Sequence, residues 1–279
     1  MPFYDNGPVA SDASTEPSQQ WSNEYVSRMR RELGADACRK LGIFALPDGF
    51  VLSVVVPVFN ESRTVASVVD RLRNTGLPMQ IILVDDGSQD GTSEAMSQFA
   101  NDDDVTVVIH EKNRGKGAAI RSGFERASGD IVVIQDADHE YDPTDFRYLL
   151  QPLIAGEADV AYGTRYGHYD RQLSPWWHQS VNAFVTLLAS IAIGIRLSDV
   201  ETCYKMMRRE HLEKILPQFK ESRFGIEIEI TARLARLGLR FTERPIRYQH
   251  RWYDEGKKIG WKDGVRALWC IVKYGLFKR

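Results

Sequence analysis

At 279 residues, with 43% hydrophobic and 10% aromatic residues, the chain is long enough for one large α/β domain or two small ones, and its composition excludes overall disorder. A formal charge of −2 hides an asymmetry: from Arg240 onward eleven Lys/Arg stand against four Asp/Glu, a local +7 over a body of −9. The basic end suggests an anionic partner, phosphates or a membrane surface, while the lack of a recognised nucleic-acid module speaks against nucleic acid.

Residues 1–22 are rich in Ser, Pro, Asp and Gln, contain no Lys or Arg, and read as a disordered N-terminal tail. They lack a basic region followed by an apolar stretch, so no signal peptide is expected. Residues 23–50 form a helical extension, with Val26, Met29, Leu33 and Cys38 at loosely helical spacing between Glu24 and Leu41. The three cysteines, Cys38, Cys203 and Cys270, fit neither a disulfide framework nor a zinc spacing and suit a reducing, cytoplasmic compartment.

From Leu52 the pattern becomes regular. Leu52–Val58 reads as a strand, and Glu61–Asn74 as a helix with Val65, Val68, Val69 and Leu72 on one face. Met79–Val84 is a second strand, and a helix capped by Asp90 runs from there to Ala100. A strand over Val105–Ile109, a helix over Gly115–Ala127 and a strand over Ile131–Ile134 follow. Strands alternating with helices predict a Rossmann-like, mostly parallel sheet flanked by helices, filling residues 51–258. Ala183–Ile195 is strongly apolar but far shorter than the roughly 20 residues of a spanning helix, so it is read as an interfacial or core helix. Residues 259–279 read as a basic amphipathic C-terminal helix with Trp261, Val265, Leu268, Trp269, Val272 and Leu276 on one side. Such a helix either lies on a membrane surface or packs on its own domain.

The strand ends carry the chemistry. Pro57-Val58-Phe59-Asn60-Glu61, Asp85-Asp86-Gly87-Ser88 and Asp136-Ala137-Asp138-His139-Glu140 each close an apolar run, and ligands of a parallel sheet bind beyond its carboxyl edge. Asp136, Asp138 and Glu140 stand at alternate positions. Clustered carboxylates repel one another, and a hard divalent cation shared with substrate phosphates relieves that repulsion; a solvated acidic turn is the alternative. A planar base fits between Pro57 and Phe59 with Asp86 accepting its ring N–H; capping of the turn at Gly87 is the alternative for Asp85 and Asp86, and one of each is favoured. Asn113-Arg114-Gly115-Lys116-Gly117 is not a P-loop; it and the helix after it help line the nucleotide site.

Taken in order, these motifs and Gly163-Thr164-Arg165 resemble family-2 glycosyltransferases of the GT-A fold, specifically the branch of dolichol-phosphate mannose synthase and bacterial polyprenyl-phosphate glycosyltransferases. The resemblance spans about Leu52 to Lys258. It implies an inverting transfer of a sugar from a GDP- or UDP-sugar, dependent on Mg²⁺ or Mn²⁺. By that resemblance Pro57, Phe59, Glu61, Val84, Asp86, Asp136, Ala137 and Lys257 contact the nucleotide, and Asp136, Asp138 and Glu140 hold the metal. Arg165, Arg251 and Asp199 are the catalytic candidates, Arg251 and Lys257 neutralising the phosphates. Asp199 orients the acceptor or acts as base, with Glu201 second. The chain departs from the family pattern at Asp199-Val200-Glu201-Thr202-Cys203-Tyr204 and at Glu255-Gly256-Lys257-Lys258, both near the acceptor.

The partners so implied are a nucleotide-sugar donor and a polyprenyl-phosphate acceptor, with peripheral contact at the inner face of the membrane. A polyprenyl phosphate is already a nucleophile, since its second pKa is about 6. A hydroxyl acceptor would need a base, and a soluble glycosyltransferase acting on a small molecule, polysaccharide or protein is the competing reading. A nucleotide-binding pseudoenzyme or a signalling module is the non-enzyme alternative, because Ile81–Asp86 also resembles the acidic first strand of receiver domains; retention of the acidic triplet argues against it.

Overall fold

The computed structural model describes residues 21–166, 176–250 and 261–276. Two short helices, α1 (Asn23–Leu33) and α2 (Ala35–Lys40), open it. The single helix read from the sequence is broken at Gly34, whose φ of +84° only glycine adopts readily. Trp21, Phe44, Leu46 and Phe50 tie this extension into the main core, with the Trp21 and Phe44 rings 5.3 Å apart.

The chain then runs β1 (Leu52–Val58), α3 (Val65–Arg73), β2 (Met79–Asp85), α4 (Thr92–Ser97), β3 (Val105–Ile109), α5 (Lys116–Phe124) and β4 (Ile131–Ile134). It continues through α6 (Phe146–Ile154), β5 (Val160–Thr164), α7 (Trp176–Ile193), β6 (Lys205–Arg208), α8 (Arg209–Ile215), α9 (Ile226–Arg236), β7 (Phe241–Pro245) and α10 (Trp261–Cys270). The seven strands form one sheet in the order β3-β2-β1-β4-β6-β5-β7. The first four pair in parallel, β6 runs antiparallel between β4 and β5, and β7 is parallel to β5. The β-branched runs of β1 and β4 are buried on both faces, as helices on either side of a parallel sheet require. Register sets Val58 opposite Asp85 and Val55 opposite Ile134. The ends of β1, β2 and β4 therefore meet at one edge, where the chain departs from β1 to both sides.

A second, smaller core lies under the C-terminal helix. Val185 and Ala189 of α7, Ile228 and Ala232 of α9, and Ala267, Cys270, Ile271 and Tyr274 pack together with Val200. Beyond Cys270 the helix continues as a π-helical stretch to Leu276. A Cβ on Gly275 would stand 2.7 Å from that of Ala192, so glycine there lets the two helices touch. The opposite faces point outward: Val181, Phe184, Leu187 and Ile191 on α7, and Val265, Leu268, Trp269 and Val272 on the C-terminal helix, all exposed. Among the described residues, no helix is long and apolar enough to cross a membrane.

Candidate functional site

The loops after β1 and β2 are knitted to each other. Asn60, at φ +51°, donates its N–H to Ser88 Oγ (2.8 Å) and accepts from Gln89 N–H (2.9 Å). Asp85, fully buried, accepts from Ser88 N–H (2.9 Å), the Ser88 hydroxyl (2.6 Å) and the Ser93 hydroxyl, so it is the brace of the turn. Asp86 holds a different loop. Its Oδ1 accepts from His110 Nδ1 (2.7 Å) and Arg114 N–H (2.9 Å), and its Oδ2 from Gly115 N–H (2.7 Å). Pro57 and Phe59 are partly exposed at the same edge. Val84 is sealed in the core; its side chain lies beneath the crevice, and only its backbone is left to contact a nucleotide.

The acidic triplet follows β4. Ala137 is buried, and its carbonyl lies 2.7 Å from the Thr64 hydroxyl, which is also 2.9 Å from Glu61 Oε2. Burial, with the charges of Asp136, Glu140 and Glu61 nearby, pushes Asp138 up to about 7. Asp136 pairs with Lys116 (2.8 Å), Asp138 Oδ1 accepts from Glu140 N–H (3.1 Å), and Glu140 raises the pKa of Tyr248 further after burial has done so. No group of three His, Cys, Asp or Glu side chains is gathered as a ligand set among the described residues. Asp136, one of the three carboxylates expected to hold the metal, is paired with Lys116. The chemistry of the side chains suits a hard divalent cation, because Asp138 and Glu140 are oxygen donors in mutual repulsion and phosphate oxygens complete such sites.

Lys116 belongs to the loop expected to line the nucleotide site, whereas Glu227 carries no signal in the sequence. Lys116 Nζ bridges Asp136 and Glu227 (3.1 Å); burial opposes its charge, but the two carboxylates hold its pKa well above the usual lysine range. Its loop is pressed flat against residues 221–223. A Cβ on Gly115 would fall 2.2 Å from the Ser222 carbonyl oxygen, and one on Gly117 2.7 Å from that of Glu221. Glu227 Oε2 and the hydroxyl of Thr202 are buried without a hydrogen-bond partner among the described residues, so two buried polar groups remain to be satisfied.

Asp199 is the candidate for orienting the acceptor or acting as base. It is fully buried and gripped by Arg165 through the backbone N–H (3.1 Å), Nε (2.7 Å) and Nη2 (2.7 Å), with Asn182 Nδ2 at 3.2 Å. Burial opposes its charge, but Arg165 holds the carboxyl below its ordinary range. A carboxylate so held orients Arg165, which also lies 5.3 Å from the Tyr248 ring centroid. Glu201, two residues on, is partly exposed and pushed up to about 7, by burial first and then by Glu227 and Asp199 against the opposing Arg165.

The segment after β7 lies along the acidic loop: Gln249 N–H donates to the Glu140 carbonyl (2.8 Å), and Tyr141 and Tyr248 form an antiparallel bridge. Arg247 pairs with Asp142 and Asp145 rather than facing the crevice. Arg251 and Lys257 lie outside the described residues. Among the described residues, Arg240 pairs with Asp159, and Arg266 and Lys273 with Glu221, like Arg247 with its two aspartates.

The sequence model of the family described as Glycosyl transferase family 2 matches residues 53–216. Polyprenol monophosphomannose synthase of Mycolicibacterium smegmatis is 30% identical over 232 residues, covering 80% of this chain and 86% of that protein. Undecaprenyl-phosphate mannosyltransferase of Micrococcus luteus is 28% identical over 231 residues, covering 81% and 94%. Among solved structures, glucosyl-3-phosphoglycerate synthase from Mycobacterium tuberculosis, in complex with Mn²⁺, UDP and glucosyl-3-phosphoglycerate, is similar with a TM-score of 0.62 at 24% identity, covering 82% of each chain.

Proposed function

This chain belongs to glycosyl transferase family 2, is a glycosyltransferase of the GT-A fold, and, we propose, moves a sugar from a nucleotide-sugar donor to a polyprenyl phosphate at a membrane surface. The observation that carries the lipid acceptor is the double apolar row on α7 and the C-terminal helix. Its eight large side chains face away from a core that the same helices fill from their other sides. Contiguous apolar surface of this kind marks an interaction site. One relative is named as a polyprenol monophosphomannose synthase and another as an undecaprenyl-phosphate mannosyltransferase.

In this reading Pro57 and Phe59 flank the base, Asp86 accepts its N–H, and Glu61 and the backbone at Val84 and Ala137 line the crevice. A Mg²⁺ or Mn²⁺ held by Asp138 and Glu140, with Asp136 beside them, would neutralise the charge that develops on the departing diphosphate. Lys116 adds a fixed cation next to Asp136. The acceptor phosphate oxygen attacks the anomeric carbon as the bond to the nucleoside diphosphate breaks, and the diphosphate leaves with the electron pair. A phosphate dianion needs no base, which agrees with Asp199 being committed to Arg165. Arg165 is the described cation best placed to face the acceptor phosphate, and Arg251 and Lys257 remain candidates beside it.

Glu201 favours one second reading, a soluble acceptor hydroxyl. Partly exposed and titrating near neutrality, it has the properties of a general base. Release of nucleoside diphosphate in Mn²⁺ separates the two. The lipid reading expects stimulation by polyprenyl phosphate, loss in EDTA and little effect of Glu201→Gln; turnover without any lipid that collapses in Glu201→Gln supports the other.

A further inference from the structure

The acceptor capacity of Asp86 bears on the identity of the base. An ionised carboxylate only accepts, at about four lone-pair positions. His110 Nδ1 lies 2.7 Å from Oδ1 and must therefore be the protonated ring nitrogen, while Nε2, 2.9 Å from the Ser122 hydroxyl, fixes the ring from behind. Arg114 N–H takes the other position on Oδ1, and Gly115 N–H takes one of the two on Oδ2. One acceptor position is left, on Oδ2. The arrangement is rigid: Asp86 and His110 are both buried, and Asp86 N–H is bonded to the Val58 carbonyl (2.8 Å).

The bases differ in what they bring to such a position. Uracil presents a single imide N–H flanked by two carbonyls. Guanine presents two adjacent donors, the ring N–H and the exocyclic amine, and two parallel donors are satisfied by both oxygens of a carboxylate. Here the second oxygen is already filled, so guanine would leave its amine unpaired or strip His110 or Arg114 N–H of a buried partner. Resting on the nucleotide-sugar reading above, we propose that Asp86, held by His110, selects a uridine nucleotide as the donor, with His110 as the positioning residue that closes the carboxylate to guanine. Adenine and cytosine present an amine beside a ring nitrogen acceptor, which would face the carboxylate with a lone pair.

Calorimetric binding of UDP and GDP to the full chain in Mn²⁺ tests this. The wild type should bind UDP at least about tenfold more tightly than GDP, the penalty for one donor left unpaired. His110→Ala vacates a position on Oδ1 and should bring the ratio to about threefold or less, while His110→Asn, whose amide replaces the Nδ1 donor, should restore it. A purely structural role for His110 would weaken both nucleotides alike and leave the ratio unchanged, which would overturn the proposal. Wild-type GDP affinity equal to or above that for UDP would also overturn it, even if His110→Ala does not fold, and the nucleotide-sugar reading would stand. Binding of neither nucleotide would sink both.

Discussion

Replacing Asp199 with Asn removes the negative half of a buried ion pair and leaves the guanidinium of Arg165 facing an amide. The carboxylate is fully buried and the Arg165 side chain about one-fifth exposed, and three bonds join them. Breaking a buried pair from one side costs about 3–5 kcal/mol, and the partial exposure of Arg165 places this one near 3. At about 2–4 °C per kcal/mol for a domain of this size, the melting temperature should fall by about 6–12 °C. The effect has a pH signature. The folded-state pKa of Asp199 is depressed, so the pair's stabilisation is fully present above the unfolded value of about 3.9 and is lost as pH falls through the folded value. The gap between wild type and Asp199→Asn should be constant from pH 5 to 8 and close only in stronger acid. Arg165→Met with Asp199→Asn should be less damaging than the two single changes summed. Differential scanning fluorimetry across pH, beside turnover, gives the answer. An unchanged melting temperature with turnover reduced more than about a hundredfold would refute the positioning role and restore Asp199 as a base.

Other outcomes follow from the same contacts. Truncation after Gly260 should unfold the second core: Glu221, buried, would lose Arg266 (2.6 Å), Lys273 (3.1 Å) and Tyr274 (2.8 Å) together, and limited proteolysis of the truncated chain should show this. Glu221→Gln should be milder, lowering stability by about 1–3 kcal/mol in chemical denaturation, because the amide keeps part of the hydrogen bonding. Asp138→Asn relieves the repulsion that burial imposes on the acidic loop, so it should raise the melting temperature without metal while weakening the stabilisation by Mn²⁺ plus nucleotide; a lower melting temperature would contradict the crowding of charge there. Lys116→Met should impair turnover more than about tenfold through the loss of a cation beside Asp136, with unchanged kcat/KM as the refuting result.

The first half of the sheet was legible because its strands are β-branched runs of four to seven residues closed by polar turns. The strands of the second half are not so marked. Lys205–Arg208 carries a buried lysine whose amine is satisfied by the Val200 carbonyl and Thr231, a tertiary solution that no pattern reveals. Ile226-Glu227-Ile228-Glu229-Ile230 alternates like a strand yet forms the start of α9, and this hid Glu227. The strand-end motifs placed Asp86 and the acidic triplet at one edge, but not how their carboxylates are used: Asp86 is mostly occupied by His110 and two backbone N–H groups, Asp136 by Lys116, Asp199 by Arg165. Those pairings join residues 20 to 35 positions apart through loop geometry. The partners of Arg240, Arg247, Arg266 and Lys273, namely Asp142, Asp145, Asp159 and Glu221, lie far away in the sequence, so these pairings were not legible either. The outward row on the C-terminal helix was legible from its spacing; the inward row of Ala267, Cys270, Ile271 and Tyr274 that anchors it was not.

The central claim is that this glycosyltransferase reaches a lipid phosphate by laying α7 and the C-terminal helix on a bilayer. It is tested most directly by substituting Leu187 and Trp269, both more than half exposed, with Glu and Ser in one variant, and measuring sugar transfer to two acceptors. One is a long polyprenyl phosphate in anionic vesicles and the other a water-soluble short-chain analogue. Two apolar side chains removed from a membrane weaken attachment by about 2–4 kcal/mol, so transfer in vesicles should fall more than about tenfold, with short-chain turnover and melting temperature unchanged. Equal activity of variant and wild type on the vesicle-borne acceptor would contradict the account.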